Sequence, residues 1–509
     1  MPLLRKAQLQ PVQGIDLSLP GSYLPEGNAF PQNLKYWRGE WKKRDGRTQI
    51  GGASLGALPI LHLAMFELSN GTNYLIRHTK QNVERYNATS GLWEDITGLD
   101  LTGGNTNFFS SCVVNEYDYY LFVNDLIDNV RKYIGSGVTG DLGGSPGKAK
   151  CIEYVTPYVL LANLEELGSA YPYKLKWCDT GEPEIWTGGN SGSVLLSDEP
   201  SAIRTLKKFK NYIFAYKEKS VYRGAKVSTS SIFDFPGPFS MGKGIYSPRA
   251  IADNGAAHFY MGIQDFHQND GLRITDIGKP VREYIFSPLS RDAASTCHAI
   301  HVEELKEIWF FIVTAAATYP TEVWKYNYDL GFWYFDDIIN CLCAALYKQT
   351  STRTWNAMTG TWEQFAGIWD AQSGTTTAPF PVFGYDIGTT EKVNDTVYND
   401  NGKAITARLD TKDFCGLLNK GIERDSRWLQ FDLWAKGNAA KLWYSTDEGN
   451  NWTYIGQKTM TLETVQRYSF YFDIIAPRIR FRIQCDGLDQ TLTIRGFMPF
   501  FLDAGEILK

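Results

Sequence analysis

The chain has 509 residues, which exceeds the roughly 250–300 residues at which a single hydrophobic core usually stops growing. Aromatic residues make up 14% of it and charged residues only 21%, a composition that favours sheets packed through flat rings over a helical bundle. The net charge of −5 disfavours nucleic acid as the primary ligand, and the absence of an apolar run of roughly 20 residues disfavours stable membrane insertion.

Eight cysteines are scattered along the chain without any Cys-x-x-Cys pair. This spacing predicts reduced, buried thiols rather than a zinc site or a disulfide scaffold. The first residues contain no apolar core of a secretory signal, which predicts assembly in a cytoplasm.

Residues 1–52 are predicted to form an N-terminal arm that precedes the repeats. In its densest basic patch, cationic side chains alternate with aromatic rings: Trp37, Arg38, Trp41, Lys42, Lys43, Arg44 and Arg47. On general grounds we interpret this patch as a solvated or partner-docking arm rather than as a site of specific nucleic-acid recognition.

Residues 53–372 repeat one pattern, in which an aromatic-rich strand and a polar turn lead to a second strand containing Val-x-x-Tyr or Val-Tyr. Residues 119–133 and 212–223 are two examples, and each is typical of a hairpin. The units recur near residues 74, 120, 160, 213, 259, 309 and 345, a spacing of about 45 residues that is typical of propeller blades. The sequence therefore predicts an all-β protein whose main domain is a β-propeller of six or seven blades.

The pattern changes after the repeats. Residues 373–404 are predicted to be a linker or boundary, since they begin with a Thr-rich stretch. Residues 405–509 contain strands with alternating apolar and polar side chains, such as 428–433 and 478–484, which is typical of an antiparallel sheet with one solvated face. We expect this C-terminal region to be either a β-sandwich-like domain or a last blade that closes the ring. The Gly-rich stretch 136–150 and the Thr-rich stretch 373–381 are predicted to be partner-facing loops.

Ser445, Asp447, Gly449 and Trp452 resemble the Asp box, S-x-D-x-G-x-x-W, of sialidase-type propellers. Asp447 can accept hydrogen bonds from backbone N–H groups of the turn, Gly449 permits a positive φ, and Trp452 can pack under the turn. In the families that carry it this box is a structural turn remote from catalysis, so we predict a structural role here.

No catalytic, cofactor-binding or metal-binding residue is predicted, and we expect the protein not to be an enzyme. A sialidase-like hydrolase would need an arginine cluster that grips a carboxylate, a Tyr nucleophile and a general acid. No sequence pattern joins the arginines that could form such a cluster: Arg77, Arg204, Arg223 and Arg249. His298 and His301 point to opposite faces of a predicted strand, which disfavours a metal site.

Several stretches occur in an order that resembles the tail-hub or nozzle proteins, also called stabilisation proteins, of short-tailed bacteriophages. They begin with Tyr23-Leu24-Pro25, then Asn33-Leu34, and an Arg-Asp-Gly-Arg-x-x-Ile-Gly-Gly segment at residues 44–52. The order continues through the strand at 214–223, the blade-like stretch 244–284 and the strands at 429–433, 442–449 and 479–483. The resemblance covers most of the chain.

The resemblance implies a virion protein of the phage tail, assembled in the host cytoplasm as a homo-oligomeric ring, usually a hexamer. Such a ring lies beneath the portal and adaptor, extends the DNA channel, helps close the head, and offers docking surfaces to a tail needle, fibres or tailspikes. Double-stranded DNA would pass without sequence-specific binding, and an acidic lumen would let it slide. The alternative function is a carbohydrate-binding or sialidase-like glycoside hydrolase propeller.

Overall fold

A computed structural model describes residues 5–6, 14–19, 24, 28–227, 232–289, 291–314, 317–349, 378–415, 418–419, 422–423 and 425–503. The protein is all-β, as the sequence predicted. The described helices are the short α1 (Arg282–Phe286) and α2 (Arg291–Ala294), with 3-10 turns at Leu55–Ala57 and Glu303–Leu305. Neither helix of the described chain has the length and apolar character needed to cross a bilayer.

The N-terminal segment contributes five short strands, which join sheets formed by later parts of the chain. They are β1 (Arg5–Lys6), β2 (Ala29–Gln32), β3 (Leu34–Trp37), β4 (Glu40–Lys43) and β5 (Gly46–Gln49). Strands β3 and β4 form a hairpin whose two turn residues, Arg38 and Gly39, have φ of 51° and 85°. Positive φ at both positions is the requirement of the tight turns that connect hairpin strands.

Seven antiparallel sheets follow in chain order, and we number them sheet 1 to sheet 7. Sheet 1 contains β6 (His62–Glu67), β7 (Asn73–His78), β8 (Val83–Asn87) and β9 (Leu92–Asp95); sheet 2 contains β10 (Phe109–Val114), β11 (Tyr119–Asn124), β12 (Arg131–Tyr133) and β13 (Gly140–Asp141). Sheet 3 contains β14 (Lys148–Val155), β15 (Tyr158–Glu166), β16 (Ser169–Trp177) and β17 (Gly192–Leu195); sheet 4 contains β18 (Ile203–Phe209), β19 (Tyr212–Lys217), β20 (Ser220–Lys226), β21 (Phe233–Asp234) and β22 (Pro238–Met241).

The strands of the remaining three sheets also follow chain order, except that β5 lies between β33 and β34 of sheet 7. Sheet 5 contains β23 (Ile251–Asp253), β24 (His258–Met261), β25 (Phe266–Asn269) and β26 (Ile274–Asp276); sheet 6 begins with β27 (His298–Val302), β28 (Glu307–Ile312), β29 (Glu322–Asn327) and β30 (Phe332–Asp337). Sheet 7 contains β31 (Cys341–Tyr347), β32 (Phe380–Tyr385), β33 (Thr390–Asn394), β34 (Asn399–Asp400) and β35 (Lys403–Ala404).

Sheet 7 also includes β5, a strand of the N-terminal segment. Strand β5 pairs antiparallel with β33, so that Thr48 lies opposite Lys392, and it pairs in parallel with β34. Strands β32 and β33 lie within residues 373–404, so this range, predicted to be a linker, supplies strands to a sheet.

Each of the seven sheets contacts the next one in chain order, and sheet 7 contacts sheet 1. Ring-centroid distances across successive junctions are 5.8 Å for Phe66–Tyr120, 5.5 Å for Tyr158–Phe233, 5.9 Å for Tyr216–His258, 4.7 Å for Phe266–Phe310, 6.0 Å for Phe311–Phe383 and 6.4 Å for Tyr86–Tyr347. Sheets 2 and 3 are joined by the ion pair Lys132–Glu184. The second strand of each sheet is largely buried because both of its faces are covered; in β28 every residue is buried.

The C-terminal region contributes β36 (Ala407–Thr411), β37 (Phe414–Cys415), β38 (Leu418–Asn419), β39 (Ile422–Glu423), β40 (Ser426–Gly437), β41 (Ala439–Ser445), β42 (Thr453–Thr459), β43 (Gln466–Ala476), β44 (Arg478–Cys485) and β45 (Leu492–Asp503). One sheet has the order β2-β36-β44-β41-β42 and continues from sheet 6, because β2 also pairs with β30. The other has the order β3-β4-β45-β40-β43. Their facing side chains pack together, with Phe431 and Phe481 at 4.6 Å.

Candidate functional site

A cleft of about 710 Å³ lies where the N-terminal strands, sheets 6 and 7, and the C-terminal region meet. We call it the basic cleft, because seven basic and four acidic side chains line it: Lys35, Lys42, Lys43, Arg44, Arg47, Lys325 and Lys392 against Asp45, Glu304, Asp336 and Asp395. Five of the seven basic residues come from the N-terminal segment.

One buried tryptophan packs the β3–β4 hairpin against sheet 6. Trp41 is fully buried and packs edge-on against Tyr334 of sheet 6 at 5.3 Å, and against Tyr36 of its own hairpin at 5.2 Å. Side chains alternate between the two faces of a strand, so anchoring Trp41 places its neighbour Lys42 on the opposite face. The side chain of Lys42 is partly exposed at the cleft.

Arg44 and Arg47 lie beyond the hairpin and bind Asp400 of β34. Arg44 donates two hydrogen bonds to the Asp400 carboxylate, at 2.8 and 2.6 Å, and Arg47 lies 3.5 Å from it. Burial alone would raise the pKa of Asp400, but the hydrogen bond from Arg44 and the two guanidinium charges outweigh it and lower the pKa. Both arginines therefore form ion pairs that join β5 and the residues before it to β34.

A second charged pair forms the wall of the cleft on sheet 6. The ammonium of Lys325 pairs with Asp336 and lies 4.1 Å from the centroid of the Trp309 ring. Trp309 donates a hydrogen bond of 2.8 Å to Glu307, to which the Tyr334 hydroxyl also donates. Burial raises the pKa of Glu307, and Lys325 and these two hydrogen bonds oppose the rise.

Three lysines of the cleft, Lys42, Lys43 and Lys392, form no ion pair with a carboxylate among the described residues, and only Lys43 of the three is buried. Lys42 has no ion pair there, and Lys392 lies 5.6 Å from the centroid of the Phe380 ring. Lys43 is buried and donates a 3.3 Å hydrogen bond to the carbonyl of Gly487, and burial lowers its pKa. Lys42 and Lys392 are thus the charges that the cleft can offer to an acidic group of a partner.

Some residues of the predicted docking patch are buried in the structure, and the others are at least partly exposed to solvent. Trp41, Lys43, Arg44 and Arg47 are buried. Trp37 and Lys42 are partly exposed, and Arg38 is exposed at the hairpin turn, with its guanidinium 5.4 Å from the Trp37 ring. The segment around the patch therefore forms strands, and docking to a partner stays a prediction for Trp37, Arg38 and Lys42.

The Asp-box-like turn is stabilised by hydrogen bonds between its own residues. Asp447 accepts from the backbone N–H of Asn451 at 2.9 Å, and the Ser445 hydroxyl donates to Asp447 at 2.7 Å. The hydrogen bonds from Ser445 and Asn451 lower the pKa of Asp447 to about 2. Gly449 has φ of +93°, and Trp452 stacks under the guanidinium of Arg482 at 3.8 Å.

The four arginines considered for a carboxylate-binding cluster lie at three separate positions in the structure. Arg77 is fully buried in an ion pair with Glu84, and Arg223 lies over the rings of Tyr212 and Phe239. Arg204 and Arg249, by contrast, line one cavity. Sequence reasoning missed this proximity because the two residues lie in different sheets and loops.

His298 and His301 share no ligand geometry. His298 stacks on Phe311 at 4.2 Å, while His301 contacts the Tyr328 hydroxyl at 3.1 Å. Within the part of the chain that the structure describes, no group of three or more His, Cys, Asp or Glu side chains could hold a metal ion.

No protein-family model matches the chain, and no curated protein matches it closely enough to establish a relationship.

Proposed function

We propose that the protein is a structural component of a short-tailed phage virion, a tail-hub or nozzle protein whose copies form a ring. In this proposal sheets 1–7 are the blades of a seven-bladed β-propeller, and the C-terminal region is a β-sandwich attached to it. The ring extends the DNA channel below the portal and adaptor, helps to close the head, and carries no chemistry.

The cyclic order of contacts supports the propeller. Seven consecutive antiparallel sheets pack each against the next, and Tyr347 of sheet 7 meets Tyr86 of sheet 1. Strand β5, which precedes sheet 1, pairs with β33 of sheet 7. Pairing the start of a chain with its last blade is an effective way to hold a ring of sheets shut, because each blade contacts only its neighbours.

The observation that carries the structural role is that the N-terminal segment joins sheets 6 and 7 to both C-terminal sheets. Strand β2 bridges sheet 6 and one C-terminal sheet, β3 and β4 belong to the other C-terminal sheet, and β5 completes sheet 7. Sheets that share strands in this way resist separation from one another, which suits a component that holds a packaged genome. The order of sequence stretches that resembles nozzle proteins supports the same role.

The basic cleft suits a docking surface for an acidic segment of a neighbouring tail protein. Lys42 and Lys392 have no carboxylate partner among the described residues, and Trp37 beside them offers an apolar ring. Aromatic and basic side chains together at a concave surface are typical of protein-binding sites. In this proposal the neighbours are the adaptor, the needle, fibres or tailspikes.

Strand β43 suits a contact between copies. It is an edge strand in the described part of its sheet, is 11 residues long, and exposes Tyr471 by 72% and Ile475 by 65%. Long apolar edge strands readily pair with another chain. The net charge of −5 agrees with a lumen that repels DNA phosphates and lets the genome slide.

The test is the mass of the purified protein in solution, alone and with its portal–adaptor complex, by light scattering or mass photometry. We expect a multimer of about six copies, formed either alone or on the partner. A protein that stays monomeric and does not bind the portal–adaptor complex contradicts the proposal. Glycan binding would then be measured to test the carbohydrate-binding alternative.

A further inference from the structure

A second cavity, of about 720 Å³, lies where all seven sheets converge. Each sheet, or a loop next to one of its strands, contributes to the lining: Leu61 for sheet 1, Asp125 for sheet 2, Lys150 for sheet 3, Arg204 for sheet 4, Arg249 for sheet 5 and Leu342 for sheet 7. Sheet 6 adds the loops on both sides of its first two strands. We call this the axial cavity.

Arg249 is the central cation of the axial cavity. Its Nη1 donates to the carbonyls of Leu61 and Leu342, at 2.9 and 3.1 Å, and its Nη2 donates to the carbonyl of Thr296 at 3.4 Å. A guanidinium has five N–H donors, so two remain: one on Nη2 and the one on Nε. The Nε atom is buried without a hydrogen-bond partner. No carboxylate of the described residues forms an ion pair with it.

The other two cations at this cavity are partly neutralised. Lys150 lies 2.6 Å from Asp125, and Arg204 lies 3.1 Å from Glu218 while its own Nε is buried without a partner. Asp292 is the one further carboxylate among the described lining residues. Three cations from three different sheets therefore face a small volume, and one of them, Arg249, has no carboxylate partner among the described residues.

The positive charge of Arg249 also acts on a neighbouring histidine. His62 of sheet 1 has its pKa lowered to about 3, chiefly by burial and then by the positive charges of Arg249 and Lys207. A largely buried cation without a counter-ion is costly, and an oxyanion that accepts its remaining donors would offset that cost.

We propose that the axial cavity binds a small oxyanion, either a phosphate or the carboxylate of a small organic acid, with Arg249 as its principal ligand. Arg204 and Lys150 supply additional positive charge from the adjacent sheets. The site belongs to a single chain, so this inference does not depend on ring assembly.

Binding is tested on the full-length protein with inorganic phosphate and with glucuronate, using glucose as the neutral control. Isothermal titration calorimetry gives the affinity, and the rise in Tm with ligand concentration gives an independent estimate. We expect saturable binding of at least one anion and none of glucose. The ratio of the two affinities tells whether phosphate or carboxylate is preferred.

The variants are Arg249→Gln, Arg204→Gln and Lys150→Gln, with Arg273→Gln as the matched control, since Arg273 is 77% exposed and lies in a surface turn. Arg249→Gln should weaken binding by about tenfold or more, since hydrogen bonds to charged groups are the strong ones. Arg273→Gln should leave it unchanged. If Arg249→Gln does not fold, the decision rests on Arg204→Gln and Lys150→Gln, each expected to weaken binding several-fold.

Failure of both anions to bind the unmodified protein overturns the proposal. So does equal affinity in the cavity variants and in Arg273→Gln.

Discussion

Arg44 and Asp400 are 356 residues apart in sequence and form a two-point hydrogen-bonded ion pair, with distances of 2.8 and 2.6 Å. The pair joins the end of the N-terminal hairpin to β34 of sheet 7. The side chain of Arg44 is only 7% exposed. The pair therefore holds the chain just before β5 against β34 at the basic cleft.

Replacing Arg44 should destabilise the whole fold. Arg44→Gln leaves the Asp400 carboxylate partly buried without its main donor, and losing one partner of a buried pair costs about 3 kcal/mol. Arg44→Lys should recover only part of this, because a lysine cannot donate in the bidentate geometry. Urea denaturation measures the change in unfolding free energy, with Arg273→Gln as the exposed control. Equal stability of Arg44→Gln and the control contradicts this role.

The pairing of β5 with β33 can be trapped chemically. Thr48 and Lys392 are directly opposite, and Cα atoms of opposite residues in antiparallel strands lie about 5 Å apart, within reach of a disulfide. The double variant Thr48→Cys/Lys392→Cys should therefore cross-link on oxidation and migrate faster on a non-reducing denaturing gel. Thr48→Cys/Val393→Cys is the matched control, because its two side chains point to opposite faces. Equal cross-linking of both variants counts against the register.

Buried histidines should make the protein sensitive to mild acid. Burial, Arg249 and Lys207 lower the pKa of folded His62 to about 3, whereas an unfolded histidine titrates near 6.5. Below about pH 6.5 the unfolded state binds a proton that the folded state does not. The unfolding free energy is therefore highest above about pH 6.5 and decreases as the pH falls toward 3. His258, with its pKa lowered to about 4 chiefly by burial, acts in the same direction.

The measurement is the unfolding free energy between pH 7.5 and pH 5. Each such histidine contributes a slope of up to about 1.4 kcal/mol per pH unit below its unfolded pKa. His62→Gln should give a shallower slope than the unmodified protein, whatever its stability at pH 7.5. Identical slopes would show that His62 is not neutral in the folded state.

The turn around Asp447 should depend on pH in a lower range. The hydrogen bonds from Ser445 and Asn451 lower the pKa of Asp447 to about 2, against about 3.9 in the unfolded chain. Its contribution is therefore present above about pH 4 and is lost as the pH falls to 2. The Tm difference between the unmodified protein and Asp447→Asn should stay constant from pH 7 to 5 and shrink below pH 4. A constant difference down to pH 2 would falsify this assignment.

Strand β43 should matter for assembly rather than for folding. Tyr471→Ser/Ile475→Ser changes two exposed side chains, so the unfolding free energy should move by no more than about 0.5 kcal/mol. Ring assembly, followed by mass photometry across a concentration series, should weaken by about tenfold or more, because both side chains would be buried between copies. The control is Leu272→Ser, which is 82% exposed in a turn of sheet 5. A loss of assembly equal to that of the control excludes β43 as the contact.

The sequence predicted the all-β fold, and its example hairpins at 119–133 and 212–223 are confirmed as β11–β12 and β19–β20. The stretches near residues 74, 120, 160, 213, 259 and 309 lie in β7, β11, β15, β19, β24 and β28, which are second strands rather than first ones. Second strands are recognisable because burial on both faces selects continuous apolar side chains, as in β28. First strands such as β18, with the sequence Ile-Arg-Thr-Leu-Lys-Lys-Phe, mix apolar and charged residues and carry no such signal.

Strand β5 and the basic cleft could not be predicted from local sequence patterns. Strand β5 is Gly-Arg-Thr-Gln, without one apolar side chain, and its assignment depends on pairing with residues about 345 positions later. The docking patch was visible as a cluster of charges and rings. Its division into buried and exposed members depends on Asp400 and Tyr334, which no spacing rule connects to Arg44 or Trp41.

In the proposed assembly, copies of this chain form a ring below a portal. Electron cryomicroscopy of the protein bound to its portal–adaptor complex would show that ring. We expect about six copies around an open axis, continuous with the portal channel, each with seven blades arranged around its own axial cavity. Scattered monomers, or a portal complex whose lower face carries no added density, would contradict the account.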